Sequence, residues 1–549
     1  GIPSVIYGLW GVMTLGPFLT NNVYPYLINT LGKIIPFFEP TVYIGRDIFT
    51  ASIVLAIMIL PIIITLSEDA LRSVKRDLKE GSLALGTTRW QTLIKMILPQ
   101  AKPGITASII LATGRAIGET MAVLMIMGLA VKIPGSIFDS ASTMTGIIAN
   151  TFNWAYDIAP VRHALFAVAL ILFVMVFILN IIIFKIEKGQ KEKNKKSKLI
   201  YNFLSRNNQN KEVKSKKRPK SFIILEEKPS EKKFKIISEI KQNNSQLNLL
   251  NHHRSKKYFP DNAVSSIKKA LFYEKIGVSI LITFSLIASI FLFFILFDVI
   301  SKGLPVFKLE YLTQIESMGG IQGGFLNAIV GSLYLVGIAL LLATPLSIGS
   351  AIYIQEYAKK SNLFTRIIMF ASDTLASTPS IVYGAFGFMF FIITLGFRWS
   401  LLIGGITLGI MIIPLMLRSS IESIKTVTDD LREGSYALGA TQWQTIVKVV
   451  IPTAIAGIIS GIILSMGRAI GETAAVLLTA GYAREIPGSL LHQAASLPNM
   501  IYNYFEFAAR TPSLMDKLYA VAFVLIIIVL ILNTISRLIG YRYSRMMKN

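Results

Sequence analysis

One heptapeptide occurs twice in this sequence and carries the residues best suited to chemistry. Gly-Arg-Ala-Ile-Gly-Glu-Thr occupies positions 114–120 and, 353 residues later, positions 467–473. Each copy lies inside an apolar run, residues 105–130 and 455–480. A charged side chain in the middle of a bilayer costs ~2.5–3.5 kcal/mol on insertion scales. An arginine and a glutamate at such a position therefore indicate a functional site.

Two interpretations of the heptapeptides are open. Arginine and glutamate four residues apart are expected on one helix face, where they partly neutralise each other. Glycines four apart remove side chains from a stripe of the helix and allow another helix to approach closely. One interpretation is a pair of structural salt bridges at helix contacts. The other is two charged pairs that face one pathway, and the duplication favours it.

The composition is that of an all-α polytopic membrane protein. Of 549 residues, 53% are hydrophobic and 16% are charged, and the mean hydropathy is +0.58. Repeated apolar stretches of about 20 residues each match a ~30 Å hydrocarbon core. The absence of cysteine excludes disulfides, zinc–thiolate sites and thiol catalysis. The four histidines are scattered, so we expect neither a metal site nor another cofactor.

Much of the net charge of +24 lies in one segment. Residues 185–269 hold 24 Lys and Arg against 8 Asp and Glu, a net charge of +16. Next to a membrane span, this predicts a cytoplasmic loop by the positive-inside rule. Its cations would also be attracted to anionic lipids, and this interpretation is favoured over nucleic-acid binding. Low hydrophobicity without periodicity predicts a disordered linker.

The two sides of this segment are repeats of each other. Residues 80–99 match residues 433–452 at 12 of 20 positions with the offset of the heptapeptides, and Pro3-Ser4 resembles Pro379-Ser380. The same order of elements predicts parallel repeats about an axis normal to the membrane. We expect a first repeat at 1–186, a linker at 187–270 and a second repeat of six spans at 271–549. Nothing in the first repeat matches 276–354 and residue 1 is Gly, so we expect two spans missing from a truncated start.

The twenty-residue repeat predicts a helix, a glycine turn, a second helix and a proline before the next span. Ala84-Leu85 and Ala437-Leu438 would form a small apolar knob next to the glycine, suited to a groove on a soluble partner. The alternative is an ordinary amphipathic connector.

This segment resembles the "EAA" coupling loop of binding-protein-dependent ABC importer permeases, in which Glu-Ala-Ala precedes a glycine and, later, Ile-x-Leu-Pro. Glu80, Gly86 and Pro99 match that pattern in the first copy, as do Glu433, Gly439 and Pro452 in the second. Gly-Ser replaces the two alanines in both copies, and other apolar residues replace the isoleucine.

A finer resemblance is to the phosphate-specific branch of these permeases. It rests on Pro-Ser-Ile-Val-Tyr-Gly at 379–384, Gly-Gly-Ile at 319–321 and both heptapeptides. The second repeat is similar to a whole PstA-type subunit and the first to the C-terminal two-thirds of a PstC-type subunit. The resemblance implies two helical bundles of the type-1 ABC importer (MetI-like) fold, related by a pseudo-twofold axis.

The resemblance also implies roles for residues. The expected substrate pathway contains Arg115, Glu119, Thr120, Arg468, Glu472 and Thr473. The expected ATPase-coupling loops contain Glu80, Ala84, Gly86, Glu433, Ala437 and Gly439. Arginine suits this role because its guanidinium is a planar fork of donors that stays charged.

The implied function is that of a permease in the bacterial cytoplasmic membrane, importing phosphate. The chain contains no Gly-x-x-x-x-Gly-Lys-Ser/Thr loop, so ATP is expected on a PstB-like ATPase dimer. A PstS-like extracytoplasmic binding protein would deliver the substrate. No nucleophile–base set indicates an enzyme. Phosphonate, sulfate or molybdate remain alternative substrates, and a passive anion channel or a membrane scaffold is a further alternative that the two coupling loops disfavour.

Overall fold

The computed structural model describes residues 2–38, 45–182, 261–358, 363–508 and 511–546, and nearly all regular structure in them is helical. Among these residues, seven helices are long and apolar enough to cross a membrane, or nine if each of two bent pairs is one span. The predicted all-α polytopic architecture is confirmed. The predicted linker lies outside the described residues except for 261–270, which begin the helix Asp261–Val306.

The first half consists of helices of very different lengths. Its α-helices are Ser4–Trp10, Gly16–Phe18, Tyr24–Leu27, Ile48–Arg72, Arg76–Ala84, Arg89–Thr92, Leu98–Ile117, Met121–Met127, Met144–Asp157 and Ala159–Ile182. Wider π-helical turns at Gly11–Leu15, Leu19–Val23, Ile28–Gly32 and Leu93–Ile97 continue some of them, and Pro36–Phe38 is a 3₁₀ turn.

The second half repeats this pattern after three additional α-helices. Its α-helices are Asp261–Val306, Leu326–Ile352, Leu363–Ser377, Ser380–Gly387, Leu401–Lys425, Asp429–Ala437, Gln442–Thr445, Ile451–Ile470, Ala474–Thr479, Leu497–Ala508 and Ser513–Met546. π-Helical turns lie at Tyr353–Tyr357, Phe388–Thr394 and Ile446–Val450, and 3₁₀ turns at Leu309–Leu312 and Met318–Gly320. The strands Glu316–Ser317 and Gln322–Gly323 pair antiparallel.

The described chain divides into two compact units. One comprises Gly1–Ile64, Ser108–Ile183 and Ala288–Asn549, and it contains both heptapeptides. Its apolar core includes side chains of both repeats, such as Trp10, Met411 and Leu525. The other unit comprises Thr65–Ala107 and Phe184–Ile287 and contains the first copy of the twenty-residue repeat.

The Gly-Gly-Ile sequence at 319–321 forms the tip of the small hairpin. Met318, Gly319 and Gly320 have positive φ angles of 45°, 66° and 91°, which glycine adopts at little cost and methionine does not. Below the tip, the buried Glu316 accepts a hydrogen bond of 2.6 Å from the hydroxyl of Tyr482.

A loop of the first repeat with the sequence Ile-Pro-Gly-Ser, residues 133–136, is organised by one buried carboxylate. Asp139 accepts hydrogen bonds from the backbone N–H groups of Gly135 (2.9 Å) and Ser136 (3.2 Å), and Lys132 lies 3.2 Å away. Burial opposes the ionisation of Asp139, but these donors together with the Lys132 charge hold its pKa below the usual range. The second repeat has His492 at the equivalent position, so this carboxylate is specific to the first.

We predict that Asp139→Asn destabilises the fold at neutral pH by roughly 1 kcal/mol, because a neutral amide accepts weaker hydrogen bonds. A folded pKa below the unfolded value of about 3.9 means that the ionised carboxylate stabilises the fold above that value. This contribution is lost as the pH falls through the folded pKa. Thermal unfolding in detergent should therefore show a gap between wild type and variant at about pH 7 that narrows towards pH 3.

Asp157→Asn is the matched control, because Asp157 is exposed at a helix end. It should change the unfolding temperature little at either pH. A gap for Asp139→Asn that is equally large at both pH values would contradict the assigned role of the carboxylate.

Candidate functional site

Both heptapeptides lie where a helix stops and restarts. Leu98–Ile117 ends before Gly118, and Met121–Met127 begins after Thr120 at an angle of 58°. The second copy has the same break, at residues 471–473. The expectation that arginine and glutamate share one helix face is therefore wrong, because Glu119 and Glu472 lie beyond the helix ends.

Each break packs against a proline corner of the other repeat. A Cβ added to Gly118 would lie 2.6 Å from Cγ of Pro379, and one added to Gly471 would lie 3.3 Å from Cβ of Pro3. The predicted close approach thus occurs at these two glycines, but the approaching group is a proline rather than a helix stripe. A Cβ on Gly114 would meet nothing within 4 Å. We call Pro3-Ser4 and Pro379-Ser380 the first and second corner.

The four heptapeptide charges belong to one electrostatic cluster. Arg115 and Arg468 lie in the last turns of their helices, a position that favours cations. Arg468 interacts electrostatically with Arg115 and with Glu472. Glu119 interacts with Arg115 and Glu472, and the Ser4 side chain of the first corner also contacts it. Two cations and two anions from two repeats therefore share one region.

The arginines are not closed off by ion pairs. In the described part of the chain, no carboxylate lies within 4 Å of either guanidinium. Arg115 is exposed, and Arg468, Glu119 and Glu472 are partly accessible. The geometry therefore does not fit the structural salt bridges of the first interpretation. It leaves guanidinium donors available to an anion.

The heptapeptide threonines are buried, unlike the charged residues of the cluster. Thr120 is 2% exposed and Thr473 is 1% exposed. The hydroxyl of Thr120 donates to the carbonyl of Gly118 at 3.3 Å, and that of Thr473 has no hydrogen-bond partner among the described residues. The structure therefore places both threonines beside the charged cluster rather than on its surface.

Two tyrosines near the arginines were missed by the sequence analysis. Tyr7 interacts electrostatically with Arg115, and Tyr383 interacts with Arg468. The Tyr383 hydroxyl donates to the carbonyl of Leu375 at 2.8 Å. A signal was present, since Pro-Ser-x-x-Tyr-Gly recurs at 3–8 and 379–384. Each tyrosine therefore follows its corner by one helical turn.

Two further residues hold the breaks in place. Thr145 donates its hydroxyl to the carbonyl of Glu119 at 2.9 Å. With its amide oriented to satisfy both polar atoms, Asn499 donates to the carbonyl of Thr473 at 3.0 Å and accepts from the N–H of Leu477 at 3.3 Å. Thr145 belongs to Met144–Asp157 and Asn499 to Leu497–Ala508, in each case the second helix after the break. Thr145 thereby satisfies a carbonyl that the helix end leaves open.

The two coupling loops have the same local structure. Arg76–Ala84 and Asp429–Ala437 end just before Gly86 and Gly439, whose φ angles are +80° and +81°. A capping box then starts the next helix in each copy, at Thr88 with Gln91 and at Thr441 with Gln444. The predicted helix–glycine turn–helix arrangement is therefore present twice.

The predicted apolar knobs are exposed. Leu85 is 86% exposed and Leu438 is 90% exposed, next to the exposed alanines Ala84 and Ala437. Glu80 and Glu433 are also exposed. Large apolar side chains so accessible, in a segment with an ordered turn, indicate a surface available to a partner protein.

One of these loops has an anchor that the sequence analysis missed. Arg432 binds Glu356 through Nη2 at 2.8 Å and through Nε at 3.2 Å, and donates to the carbonyl of Val427 at 2.7 Å. Gln442 donates to the carbonyl of Glu356 at 2.7 Å. Lys79 stands at the position of Arg432 in the first copy, so this anchor belongs to the second loop.

Among the described residues, no group of three or more His, Asp or Glu side chains is placed to hold a metal ion. The accessible groups of the charged cluster are two guanidiniums and two carboxylates, so its positive and negative charges are equal in number. Such an arrangement can bind an anion transiently.

The chain is similar to known transport proteins. The family model "Binding-protein-dependent transport system inner membrane component" matches residues 2–191 and 343–549. Phosphate transport system permease protein PstA 1 of Mycobacterium tuberculosis is 38% identical over 224 residues, which are 41% of this chain and 72% of that protein.

Of two further relatives, one matches part of the chain and the other matches nearly all of it. Phosphate transport system permease protein PstC of Haemophilus influenzae is 39% identical over 199 residues, 35% of this chain and 62% of that protein. A PstA homolog of Mycoplasma pneumoniae is 27% identical over 563 residues, 99% of this chain and 79% of that protein. With the family model matched twice and with its apolar spans, the chain belongs to the binding-protein-dependent transport system inner membrane components, as a multi-pass protein of the plasma membrane.

Proposed function

We propose that this chain is the membrane permease of an ATP-driven phosphate importer. The observation that carries the proposal is the cluster of Arg115, Glu119, Arg468 and Glu472, in which neither arginine has a carboxylate of the described residues within 4 Å. The relatives named as phosphate transport permeases support phosphate as the substrate. We infer that the chain acts by transport and not by catalysis.

The cluster explains how a dianion could pass without being trapped. Each guanidinium offers a planar fork of donors to phosphate oxygens. Charge-assisted hydrogen bonds of this kind contribute roughly 1.5–3 kcal/mol each. Glu119 and Glu472 balance the two cations, so the empty pathway is not strongly cationic and the anion can leave.

The energy for import would come from separate subunits. We propose that Leu85 and Leu438, with the residues Ala84 and Ala437 beside them, insert into grooves of an ATPase dimer of the PstB type. The ordered glycine turns of both loops support this assignment. An extracytoplasmic binding protein of the PstS type would deliver phosphate on the other side of the membrane. A passive channel would need neither loop.

We predict that Arg468→Gln sharply reduces phosphate import into proteoliposomes that contain the ATPase and the binding protein. The expected loss reflects one set of charge-assisted hydrogen bonds, roughly a tenfold or greater effect. Arg468→Lys should recover only part of the rate, because an ammonium lacks the bidentate fork. Uptake of radiolabelled phosphate, with and without excess sulfate, measures both the rate and the selectivity.

The double variant Arg468→Gln/Glu472→Gln separates the pathway role from a packing role. A packing ion pair predicts that the double change restores stability and import together. The pathway role predicts a well-assembled protein that still fails to import. Arg418→Gln is a control, because Arg418 pairs with Asp373 at 3.2 Å outside the heptapeptides. Import of sulfate in preference to phosphate would assign the pathway to another oxyanion.

We predict that Leu85→Asp and Leu438→Asp each uncouple ATP hydrolysis from import while leaving the fold intact. Both side chains are largely exposed, so their replacement removes little packing. A charged side chain in an apolar groove of the ATPase would weaken docking. The measurement is ATPase activity and phosphate uptake in the same vesicles.

Leu490→Asp serves as the matched control, since Leu490 is also exposed but follows the second heptapeptide, on the opposite side of that span. It should leave ATP hydrolysis unchanged. Normal coupled import by both loop variants would remove the assignment of these loops to ATPase docking.

A further inference from the structure

One ion pair ties the second coupling loop to a span that is distant in the sequence. Arg432 of the loop helix Asp429–Ala437 binds Glu356 through Nη2 at 2.8 Å and through Nε at 3.2 and 3.3 Å, so both carboxylate oxygens are held. The Glu356 side chain is 4% exposed and the Arg432 side chain 16% exposed. Glu356 lies at the end of Leu326–Tyr357, a continuous run of 32 helical residues that is about 48 Å long.

The geometry of this pair indicates positioning rather than stabilisation. The desolvation cost of a buried ion pair can exceed the attraction between its charges, so such a pair is a weak source of stability. A guanidinium bound to both oxygens of a carboxylate does fix the orientation of the two groups. Arg432 also donates to the carbonyls of Val427 and Ile424, at 2.7 and 3.3 Å, where the helix Leu401–Lys425 ends. One side chain thus holds the loop against two spans.

These two spans are packed closely along their length. A Cβ added to Gly405 would lie 2.6 Å from Cγ2 of Ile338, and one added to Gly409 would lie 2.9 Å from Cδ2 of Leu342. Close-packed protein interiors have low compressibility and transmit displacement. We therefore expect a movement of Leu326–Tyr357 at one end to reach its other end.

The opposite end of Leu326–Tyr357 is fixed to the segment that follows the second heptapeptide. Asn327 donates to the carbonyl of Ala483 at 3.1 Å. The Ser332 hydroxyl accepts a hydrogen bond of 2.9 Å from the N–H of Leu497. Both contacts are buried on the Leu326–Tyr357 side. The span is thus attached to this segment at two points.

Leu497 begins the helix that holds the second helix break. The third residue of that helix, Asn499, donates to the carbonyl of Thr473 at 3.0 Å in the amide orientation given above. Thr473 is the last residue of the heptapeptide that contains Arg468. A continuous series of contacts therefore leads from the coupling loop, along Leu326–Tyr357, to the break.

A second connection between the loop and the heptapeptide is direct. The chain continues from the loop into Gln442–Ile470, 29 helical residues that carry Arg468. This helix ends at the break, so it positions Arg468 but not the helix Ala474–Thr479 beyond the break. The far side of the break is held by Asn499 instead. A change in the angle at the break requires displacement on both sides.

We propose that Arg432 and Glu356 are positioning residues through which movement of the second coupling loop reaches the far side of the second helix break, by way of Leu326–Tyr357. The inference rests on the proposed function, in which an ATPase dimer moves this loop. Without the pair, the loop would still present its exposed Leu438 for docking. The break would be displaced from one side only, and ATP would no longer alter the surroundings of Arg468.

The absence of cysteine from the chain allows a reporter beside Arg468. Within 4 Å, a Cβ at Gly467 would meet only the Asn533 side chain, at 3.6 Å, so Gly467→Cys has room to react. The measurement is the rate at which a maleimide labels this thiol in vesicles that contain the full chain and the ATPase. ATP with vanadate, which arrests the ATPase during its cycle, should change that rate.

Two variants added to the reporter interrupt the contacts at opposite ends of Leu326–Tyr357. Arg432→Gln removes the ion pair, and Ser332→Ala removes the acceptor of the Leu497 N–H. Each should abolish the ATP-dependent change in labelling rate, while the ATPase still co-purifies with the chain and hydrolyses ATP.

Two further variants make the result specific. Arg432→Lys keeps the charge without the bidentate geometry, so a reduced change should remain. Lysine suits this position, because Lys79 occupies it in the first loop. Lys425→Gln is the matched control, since Lys425 forms an exposed ion pair with Glu422 at 2.7 Å close to the same loop. It should leave the full ATP-dependent change.

A full ATP-dependent change in Arg432→Gln or in Ser332→Ala would overturn the proposal, because the movement would then follow Gln442–Ile470 alone. Loss of the ATPase from Arg432→Gln would also overturn it, because the pair would then serve docking. A Gly467→Cys chain that binds no ATPase, or whose labelling is the same with and without ATP, would instead contradict the proposed function and remove this inference with it. None of these readouts depends on which anion is transported.

Discussion

Two proline–glycine contacts, one in each direction between the repeats, set the geometry on which the charged site depends. Pro379 packs on Gly118, and Pro3 packs on Gly471. At Gly118 any added side chain would overlap the proline ring, and at Gly471 an added Cβ would make a close contact of 3.3 Å with Pro3. These glycines are needed for space more than for backbone freedom, because neither has a positive φ angle. Each repeat therefore holds the broken helix of the other.

The helix breaks leave the arginines of the heptapeptides able to bind an anion, although charges in a membrane are unfavourable. Within a continuous helix, arginine and glutamate four residues apart would pair directly and occupy each other's hydrogen-bonding groups. The helix ends at Ile117 and Ile470 instead, and the glutamates stand off the helix while still balancing the arginine charges. Desolvating a charge in a membrane is costly, so the cluster is stable only with this balance and with access to water. Thr145 satisfies the carbonyl of Glu119, and Asn499 adds a second hydrogen bond to the carbonyl of Thr473.

Much of this arrangement could be predicted from the sequence because the motifs that form it occur twice in the chain. A shared offset of 353 identified both heptapeptides and both coupling loops, and the turn at Gly86 and Gly439 follows from the need for a residue that tolerates positive φ. The helix breaks could not be predicted. The apolar run continues past Gly118, and composition alone does not show where the backbone hydrogen bonds of a helix end. The pair Arg432–Glu356 joins residues 76 positions apart, a distance at which local periodicity says nothing.

The repeats share the corners, helix breaks and coupling loops, but they differ in what surrounds these elements. The first corner is covered by residues 288–306, whereas the second lies beside an open apolar cavity. The second coupling loop is anchored by Arg432, whereas the first has Lys79 there. A pseudo-symmetric pathway can therefore be built from halves whose outer surfaces meet different neighbours.

The claim that each corner holds the heptapeptide of the other repeat is tested most directly by a disulfide. In the cysteine-free chain, Pro3→Cys with Gly471→Cys places two Cβ atoms 3.3 Å apart, close to the disulfide range of about 3.5–4.5 Å. Oxidation in the membrane should link them. Pro3→Cys with Gly114→Cys, a pair within one repeat, should stay reduced, because a Cβ at Gly114 meets nothing within 4 Å. A disulfide in the second pair and none in the first would contradict the reciprocal packing of the two repeats.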